Sequence, residues 1–404
     1  MKILFVTDNF PPEVNAPASR THEHCKRWVA KGASVTVITC APNFPKGKVY
    51  DGYENRLYQT EVIDDIRVIR VWSYVSANEG FVKRIIDYTS FALMAFFVGL
   101  FKPCDVIIVT SPQFFTTFTG WALSKVKRRP WIFELRDLWP DTITTVGAIK
   151  QSKVIQLLER VELFMYRSAD MIIPVTDAFK AKLIERHVDG DKIHVITNGV
   201  DTSQFPVVPK NEKLVQQYQL QGKTVIGYIG THGMCQNLKF IVECARDLQL
   251  PNLQFIFLGD GAEKEEVIAF AQQSKVENIL FLDSVPKSQV VDFISILDIA
   301  LVPLQKSDVF KTVIPSKIFE LAAMQKPILL GVDGISRGII ERHKAGIYFE
   351  PENKQSFHQA VMTILGDKDL YRRMQLGCQS LAEHYDRETL ADQMLEHVQA
   401  LVRK

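Results

Sequence analysis

The sequence predicts an α/β protein with two doubly wound domains, each built on a parallel sheet that helices cover on both faces. Apolar runs of strand length alternate with helical segments along the chain, which is typical of a parallel sheet. The strand-then-loop pattern that opens the chain starts again at Lys223. The length of 404 residues also exceeds what one hydrophobic core holds comfortably, which favours two domains.

The first half of the chain opens with a β-α-β pattern. Residues 2–7 form an apolar run, residues 18–31 are predicted to be a helix that ends at Gly32, and residues 34–39 form a buried strand. The further strands predicted in this half are 67–71, 105–110, 131–135, 171–175 and 193–196.

A turn-rich segment, Asn198-Gly199-Val200-Asp201 followed by extended residues 205–209, is typical of a linker or hinge. Beyond it we predict a helix over 236–248 and strands near 254–258, 279–282, 299–302, 328–330 and 347–349. The predicted domains are 1–203, with a C-terminal helix 385–404 packing back on it, and 204–384.

Composition excludes several classes of function. The 48 Lys and Arg residues nearly balance the 46 Asp and Glu residues, so no overall field would gather nucleic acid. The six cysteines lack the spacing of a zinc site or a disulfide framework, which indicates a reducing cytoplasm. Residues 1–6 are strand-like and lack a basic region followed by a long apolar run, so we expect no signal peptide.

One apolar run, residues 88–101, follows the basic pair Lys83 and Arg84. It falls short of the about 20 residues that a membrane-spanning helix needs. Two interpretations stay open, a buried helix or a helix that lies in the membrane interface.

Residues 314–330 contain the most informative local pattern. A loop ends in Pro315 and Ser316, a helix follows, and an apolar strand comes next. A helix start offers unpaired amides, Lys317 adds a positive charge, and Glu320 can accept hydrogen bonds from a ribose diol. The pattern predicts a site for a nucleoside diphosphate, although an ordinary capped helix with solvated Lys and Glu would show the same residues.

Two loops follow the opening strands of the two halves. Gly227-x-x-Gly230-x-x-Gly233 lies between a strand and a helix, where its backbone could approach a phosphate closely. A tight strand-to-helix turn would explain the same glycines. The corresponding residues 8–16 form a long polar loop, and we expect both loops to face one ligand.

A third pattern, residues 133–141, places ionisable groups at the end of an apolar strand. Glu134, Arg136 and Asp137 come at its carboxyl end, followed by Trp139 and by Asp141, which could cap a helix. Asp137 could act as a base or could orient an acceptor hydroxyl, and the spacing does not choose. An Arg–Asp ion pair that joins the loop is the structural alternative.

Taken together, these segments resemble the family 4 glycosyltransferases of the GT-B fold, over nearly the whole chain. Residues 136–140 (Arg-Asp-Leu-Trp-Pro) and 314–320 (Ile-Pro-Ser-Lys-Ile-Phe-Glu) are most similar to the branch of O-antigen and capsule enzymes that transfer N-acetyl-L-fucosamine (L-FucNAc). The resemblance implies two Rossmann-like domains that face each other across a cleft. It also implies retaining transfer from a UDP-sugar, which is a substrate rather than a cofactor, without a metal ion.

The resemblance also implies roles for individual residues. The predicted catalytic residues are Asp137, Arg136 and Glu320. The predicted donor-binding residues are Asn15, Gly230, Thr231, His232, Gly233, Thr312, Ser316, Lys317 and Glu320. The predicted acceptor-binding residues are Glu134, Trp139 and Asp141.

Several positions depart from the family pattern. Thr312 and Arg136 stand where many relatives have Glu and His, Asn15-Ala16 replaces a Gly-Gly pair, and Thr231 and Gln236 stand where Arg and Lys are common. Charge compensation of the diphosphate is therefore expected from Lys317, Lys311, Arg136 or His232.

The sequence thus predicts a cytoplasmic glycosyltransferase, peripheral on the cytoplasmic face of the inner membrane. Its expected substrates are a UDP-sugar, with N-acetyl-L-fucosamine or a related N-acetylated deoxyhexose, and a polyprenyl diphosphate-linked saccharide. Two alternatives stay open, a UDP-N-acetylglucosamine 2-epimerase on the same fold and a non-catalytic nucleotide-sugar-binding membrane scaffold. The oligomeric state is not predicted.

Overall fold

The chain folds as two compact units in the computed structural model, Met1–Asn198 with Arg387–Lys404, and Gly199–Asp386. The boundaries expected from the sequence lay at residues 203 and 385, beside these divisions. The structure describes residues 1–13, 15–44, 47–75, 81–111, 113–138, 153–248 and 250–403. Each unit contains a largely parallel sheet with helices on both faces, which confirms the predicted fold class.

The first unit has a seven-stranded sheet of order β3-β4-β2-β1-β5-β6-β7. Only β3 runs antiparallel to its neighbour, as an edge strand with alternating exposure that the sequence did not reveal. The strand predicted over 193–196 was wrong, because this segment forms only one isolated bridge, from Ile193 to Ile172. The strands are β1 Lys2–Val6, β2 Ser34–Cys40, β3 Tyr58–Ile63, β4 Ile66–Val71, β5 Val106–Thr110, β6 Trp131–Leu135 and β7 Met171–Pro174.

Helices bury both faces of this sheet. One face packs around Val109 and Phe133, and the other around Phe5 and Trp28. The C-terminal helix Arg387–Arg403 belongs to the second face, where Trp28 Nε1 donates a hydrogen bond to the carbonyl oxygen of Ala391 at 2.8 Å. The other helices of this unit are α1 Ala16–Ala30, α2 Phe81–Leu100, α3 Thr116–Lys127, α4 Lys153–Ser168 and α5 Asp177–Glu185.

The second unit has a six-stranded parallel sheet of order β10-β9-β8-β11-β12-β13. Its strands are β8 Thr224–Ile229, β9 Leu253–Leu258, β10 Ile279–Leu282, β11 Ile299–Pro303, β12 Ile328–Gly331 and β13 Gly346–Tyr348. Its helices are α6 Glu212–Gln217, α7 Leu238–Asp247, α8 Lys264–Gln273, α9 Lys287–Ser295, α10 Lys317–Ala323, α11 Ile335–His343, α12 Lys354–Gly366 and α13 Lys368–His384.

The strand order fixes where each unit can bind a ligand. In the first unit the direction of winding reverses between β1 and β5, and in the second unit it reverses between β8 and β11. Ligands of open α/β sheets bind beyond the carboxyl ends of the strands at such a reversal. Among the described residues, the relevant segments are therefore 8–13, 111 and 113–116 in the first unit, and 230–233 and 304–317 in the second.

Candidate active site

A glycine turn follows β8 in the second unit. Gly230 has a φ of 145°, and a Cβ atom there would lie 2.4 Å from Lys317 Nζ. Tyr228 closes the turn, because its hydroxyl donates a hydrogen bond to the carbonyl oxygen of Thr231 at 2.6 Å. Glycine at position 230 therefore allows the lysine amine to approach the backbone of the turn.

A second glycine turn, Gly259-Asp260-Gly261, follows β9 and packs against the first. A Cβ atom at Gly259 would lie 1.9 Å from the carbonyl oxygen of Gly230, and one at Gly261 would lie 2.4 Å from that of His232. The backbone N–H of His232 donates to the carbonyl oxygen of Asp260 at 2.8 Å. Our sequence interpretation missed this turn, although a Gly-Asp-Gly that directly follows a buried strand was a detectable signal.

The side chain of Lys317 lies beside this double turn. Its Nζ atom is 4.1 Å from the centroid of the Tyr228 ring. Burial lowers the pKa of Lys317 to about 8, although the nearby carboxylate of Glu320 acts in the opposite direction. Within the described part of the chain, the amine makes no hydrogen bond and no ion pair, so it is a partly desolvated cation beside the glycine turn.

Helix α10 begins at Lys317 and has seven residues. Ser316 is its N-cap residue but has helical backbone angles, and its hydroxyl makes no capping hydrogen bond. Glu320 lies in the first turn and is partly buried. Thr312 ends a short 3₁₀ helix, and its hydroxyl donates to the carbonyl oxygen of Val309 at 3.1 Å.

Two of the four cations expected to neutralise a diphosphate are unsuited to it. Lys311 is engaged in an exposed ion pair with Asp308 at 2.7 Å. The ring of His232 is fully buried, and burial together with nearby Lys264 and Lys317 lowers its pKa to about 4. His232 is therefore neutral near pH 7, and the prediction that it supplies positive charge is wrong.

In the first unit, Glu134 lies at the end of β6 but points into the interior. Its carboxylate pairs with Arg20 Nε at 2.8 Å, and both side chains are buried. Arg20 also donates to the carbonyl oxygens of Ile196 and Thr197. This pair joins α1 to the strand end through one carboxylate oxygen of Glu134, whereas its Oε2 atom is buried without a partner. The acceptor role of Glu134 stays a prediction.

Arg136 and Asp137 follow Glu134. Arg136 is 8% exposed, its Nη1 atom has no hydrogen-bond partner, and burial lowers its pKa to about 10. Asp137 is exposed, although partial desolvation of its carboxyl raises its pKa against the opposing effect of Arg136. The backbone N–H groups of Arg136 and Asp137 both donate hydrogen bonds to Ser111 Oγ, at 2.8 Å and 3.4 Å respectively.

The remaining predicted residues divide into two groups. Asn15 is the N-cap residue of α1, where its Oδ1 accepts from the N–H of Ala18 at 2.9 Å and its Nδ2 donates to Asn9 Oδ1 at 2.6 Å. Both polar atoms of the Asn15 side chain therefore make hydrogen bonds at the start of α1. Trp139 and Asp141 lie outside the described residues.

Comparisons with known proteins agree with this architecture. Residues 15–199 match the family model of the glycosyl transferase 4-like domain, and residues 210–376 match that of glycosyl transferases group 1. The chain is a glycosyltransferase of the GT-B fold.

The relatives of this glycosyltransferase are distant. WcaI of Escherichia coli, a glycosyl transferase assigned to colanic acid biosynthesis, is 27% identical over 334 residues, 80% of this chain and 81% of the relative. Sucrose-phosphate synthase of Thermosynechococcus elongatus matches with a TM-score of 0.76 at 15% identity, over 99% and 98% of the two chains. HepE of Anabaena, solved in complex with UDP-glucose, matches with a TM-score of 0.72 at 17% identity, over 99% and 100%. At such identities the two structures show the shared fold alone.

The glycosyltransferase brings its predicted donor-binding residues of the second unit together at the ends of β8 and β11. These are Gly230, Thr231, His232, Gly233, Ser316, Lys317 and Glu320, with Thr312 nearby in sequence. Their roles in binding stay predictions. Within the described residues, no group of three or more His, Cys, Asp or Glu side chains is arranged to hold a metal ion.

Proposed function

We propose that this glycosyltransferase moves a sugar from a UDP-sugar to a polyprenyl diphosphate-linked saccharide, with retention of anomeric configuration, during synthesis of a bacterial surface polysaccharide. The observation that supports this proposal most directly is the position of the Lys317 amine, which lies partly desolvated at the double glycine turn. A cation in such a place is stabilised when an anion arrives, and the donor diphosphate is the anion of this reaction.

In this proposal, protein groups compensate the negative charge that develops on the leaving diphosphate. Lys317 compensates the charge of the diphosphate and the backbone N–H of Thr231 donates a hydrogen bond to it, so that no metal ion is needed. Glu320, one helical turn from Lys317, accepts hydrogen bonds from the ribose hydroxyls. As the bond between the anomeric carbon and the phosphate oxygen breaks, the acceptor oxygen attacks from the same face, and its proton passes to the departing phosphate.

Two observations favour a particular sugar and a particular class of acceptor. N-acetyl-L-fucosamine or a related N-acetylated deoxyhexose is favoured by the Arg136-Asp137-Leu138 segment, through its similarity to that branch of the family. A surface polysaccharide is favoured by the relative assigned to colanic acid biosynthesis.

A donor and acceptor screen tests the proposal. Full-length protein is incubated with UDP-, GDP- and ADP-sugars and with lipid-linked saccharides extracted from the source bacterium, and products are read by mass spectrometry. We expect release of UDP that depends on acceptor, with a mass increase of one sugar on the lipid. A new epimer of UDP-N-acetylglucosamine without acceptor would identify an epimerase instead, and UDP binding without turnover on any acceptor would identify a scaffold.

Replacing Glu320 by Ala should separate ribose recognition from phosphate recognition. Hydrogen bonds to a charged group contribute about 1.5–3 kcal/mol, so we expect Kd for UDP to rise about 10- to 100-fold. Competition by inorganic pyrophosphate should stay within twofold of wild type, because pyrophosphate has no ribose. Glu341→Ala, at an exposed glutamate paired with Arg337 on α11, is the matched control. Unchanged UDP affinity in Glu320→Ala would refute the ribose role.

The first unit presents a surface suited to a bilayer, which is where a lipid-linked acceptor resides. Helix α2 buries Phe91 and Ala95 on one side and exposes Leu93 and Phe97 by more than half on the other. The amphipathic arrangement supports the interfacial interpretation of residues 88–101 over complete burial. No helix among the described residues has the length and apolar character that crossing a membrane requires.

Helix α4 extends this surface. It exposes Leu157 and Phe164, one heptad apart, with Arg160 and Arg167 on the same side. Its Phe164 ring contacts that of Trp121 on α3 at 5.8 Å, which places α4 beside α3. Exposed apolar side chains can insert at the surface of a bilayer, and neighbouring basic side chains are attracted to its anionic lipids.

Replacing Leu93 and Phe97 together by Glu should weaken binding to vesicles of phosphatidylglycerol and phosphatidylethanolamine. Each half-exposed side chain contributes about 1 kcal/mol of apolar burial, so we expect at least a tenfold loss of partitioning in a vesicle sedimentation assay. Leu376→Glu, at an exposed leucine on α13 of the second unit, is the control. Equal sedimentation of the double variant and wild type would contradict a role for this surface.

A further inference from the structure

Strand β3 (Tyr58–Ile63) is the outermost strand of the first unit, and its far side is open. It is joined to β4 by a turn at Asp64 and Asp65. The φ angles of these two residues, 47° and 61°, are those of a type I′ turn, the usual link of a tight hairpin. In the part of the chain that the structure describes, no strand lies on the other side of β3, so this edge can receive one.

The hairpin geometry determines which backbone groups of β3 face the open side. The two residues that flank such a turn, Ile63 and Ile66, form a hydrogen-bonded pair, and hydrogen-bonded and non-hydrogen-bonded pairs then alternate along the antiparallel ladder. The N–H of Trp72 donates to the carbonyl oxygen of Leu57 at 3.4 Å, which agrees with this alternation. Every second residue of β3 therefore directs its N–H and C=O groups away from β4. These residues are Tyr58, Thr60 and Val62.

Apolar side chains are exposed along the same strand. The exposed fractions of Leu57, Tyr58 and Val62 are 68%, 47% and 71%. Edge strands are usually protected by charges, by proline or by a covering segment, because unpaired backbone groups beside apolar side chains promote pairing with another chain. The sequence of β3 has no proline and one charged residue, Glu61, whose carboxylate pairs with Arg70 on β4. These features favour a strand partner at this edge.

We propose that β3 pairs with β3 of a second copy of this chain, antiparallel across a two-fold axis at Thr60, and so joins two seven-stranded sheets into one. Closed two-fold interfaces use the same surface on both copies, and a two-fold axis perpendicular to the sheet makes the two strands antiparallel. This inference goes beyond the proposed function and does not depend on it.

Backbone and apolar groups both find partners in this register. With Thr60 opposite Thr60 of the second copy, the outward N–H and C=O groups of Tyr58 meet those of Val62. Leu57 then lies opposite Ile63, which packs against the core of its own sheet. The pairing therefore satisfies the outward backbone groups and covers the exposed apolar side chains together.

Opposite charges meet at both ends of the pairing. Arg56 precedes β3 and Asp64 follows it, four positions from Thr60 in each direction, so Arg56 lies opposite Asp64 of the second copy. Their side chains, 63% and 41% exposed, contact Glu54 and His22 of their own chain and remain accessible to a further partner. Opposite charges that face each other across two strands stabilise the pair.

Other registers fit less well. A shift by one residue sets outward backbone groups against inward ones, because outward groups occur at every second residue. A shift by two residues in one direction places Glu61 opposite itself, and in the other direction it places Glu61 opposite Leu57 and Glu54 opposite Asp64. Like charges directly opposite each other destabilise a sheet. The charges therefore select the register centred on Thr60, and this self-complementarity favours a second copy over an unrelated strand.

Sedimentation velocity of the full-length protein, at low to high micromolar concentrations, tests the pairing. We expect wild type to dimerise reversibly and Thr60→Pro to raise the dimer Kd at least tenfold, because proline removes an N–H at the centre of the pairing. That N–H does not belong to the ladder with β4, so the variant should keep the circular dichroism spectrum of wild type. Thr60→Val keeps the N–H and is the matched control, with a dimer Kd within threefold of wild type.

Cysteine cross-linking tests the register. In a Cys235→Ser background, which removes the exposed thiol of the chain, Thr60→Cys should form a disulfide between two copies under mild oxidation. Val62→Cys lies on the same face of the strand and is the control. The two copies of that position would be about 14 Å apart, which is too far for a disulfide.

Selective cross-linking at position 60, together with dissociation by Thr60→Pro, would support the pairing. A monomeric wild type at every concentration would overturn the proposal, as would a dimer that Thr60→Pro leaves intact. Disulfide formation by Thr60→Cys no greater than by Val62→Cys would also overturn it.

Discussion

Lys317→Met is expected to reduce kcat/KM for sugar transfer about 100- to 1000-fold, the usual effect of removing one group that stabilises developing charge. The amine lies 4.1 Å from the Tyr228 ring centroid and beside Gly230, where the diphosphate is proposed to bind. Its loss should weaken UDP and pyrophosphate alike, which distinguishes it from Glu320→Ala. Steady-state kinetics and competition binding measure both effects.

The pH dependence of donor binding gives an independent test of the same residue. Burial lowers the pKa of free Lys317 to about 8, and a bound diphosphate raises it, because the anion favours the charged amine. The contribution of Lys317 to affinity is therefore complete below pH 8 and decreases as the pH rises through the pKa of the bound state. The ratio of wild-type affinity to Lys317→Met affinity for pyrophosphate should be smaller at pH 9 than at pH 7, because ionisation of the ligand itself affects both proteins alike.

The matched control is Lys239→Met, at a lysine on α7 that pairs with Glu266. Its UDP affinity should stay within twofold of wild type. Full activity of Lys317→Met, with an unchanged pH profile, would show that Lys317 does not bind the diphosphate. The proposed position of the diphosphate would then lose its main support.

Gly259→Ala is expected to weaken donor binding at least tenfold, without touching the ligand. The added Cβ atom would lie 1.9 Å from the carbonyl oxygen of Gly230, at a backbone φ of 150° that side chains rarely adopt. The Gly230 turn must move to accommodate it, and Lys317 then loses its position. Strain of this kind costs about 1–3 kcal/mol, so the protein should still fold while Kd for UDP rises at least tenfold.

Gly338→Ala provides a matched control, because an added Cβ atom on α11 meets no atom within 4 Å. Replacing a helical glycine by alanine should stabilise the protein by up to about 1 kcal/mol. Circular dichroism confirms folding of each variant before UDP is titrated. Normal UDP affinity in a folded Gly259→Ala variant would show that the second glycine turn does not position the first.

The sequence predicted the parallel strands well because both of their faces are covered. Residues 299–302 are apolar throughout, residues 131–135 are apolar except for Glu134, and each became a fully buried strand. The edge strand Tyr58–Ile63 was missed because its exposed side chains interrupt the apolar run. The segment 193–196, predicted as a strand, is apolar except for His194 but forms only one isolated bridge, which local sequence does not reveal.

The site was predictable where its residues are neighbours in sequence. Lys317 and Glu320 share one short segment, so their proximity follows from a helical turn. Contacts between distant segments were not predictable. The ion pair of Glu134 with Arg20 is one example, because the two residues lie 114 positions apart and nothing in the sequence near Glu134 indicates its partner. Gly259 matters only because the fold places its turn beside the Gly230 turn.

The position of the donor diphosphate is the claim on which the account depends, and a crystal of the full-length protein soaked with UDP tests it most directly. We predict difference density for the diphosphate within hydrogen-bonding distance of Lys317 Nζ, beside the Gly230 turn. Density for UDP at another place, or the absence of density from crystals of a protein that binds UDP in solution, would contradict it.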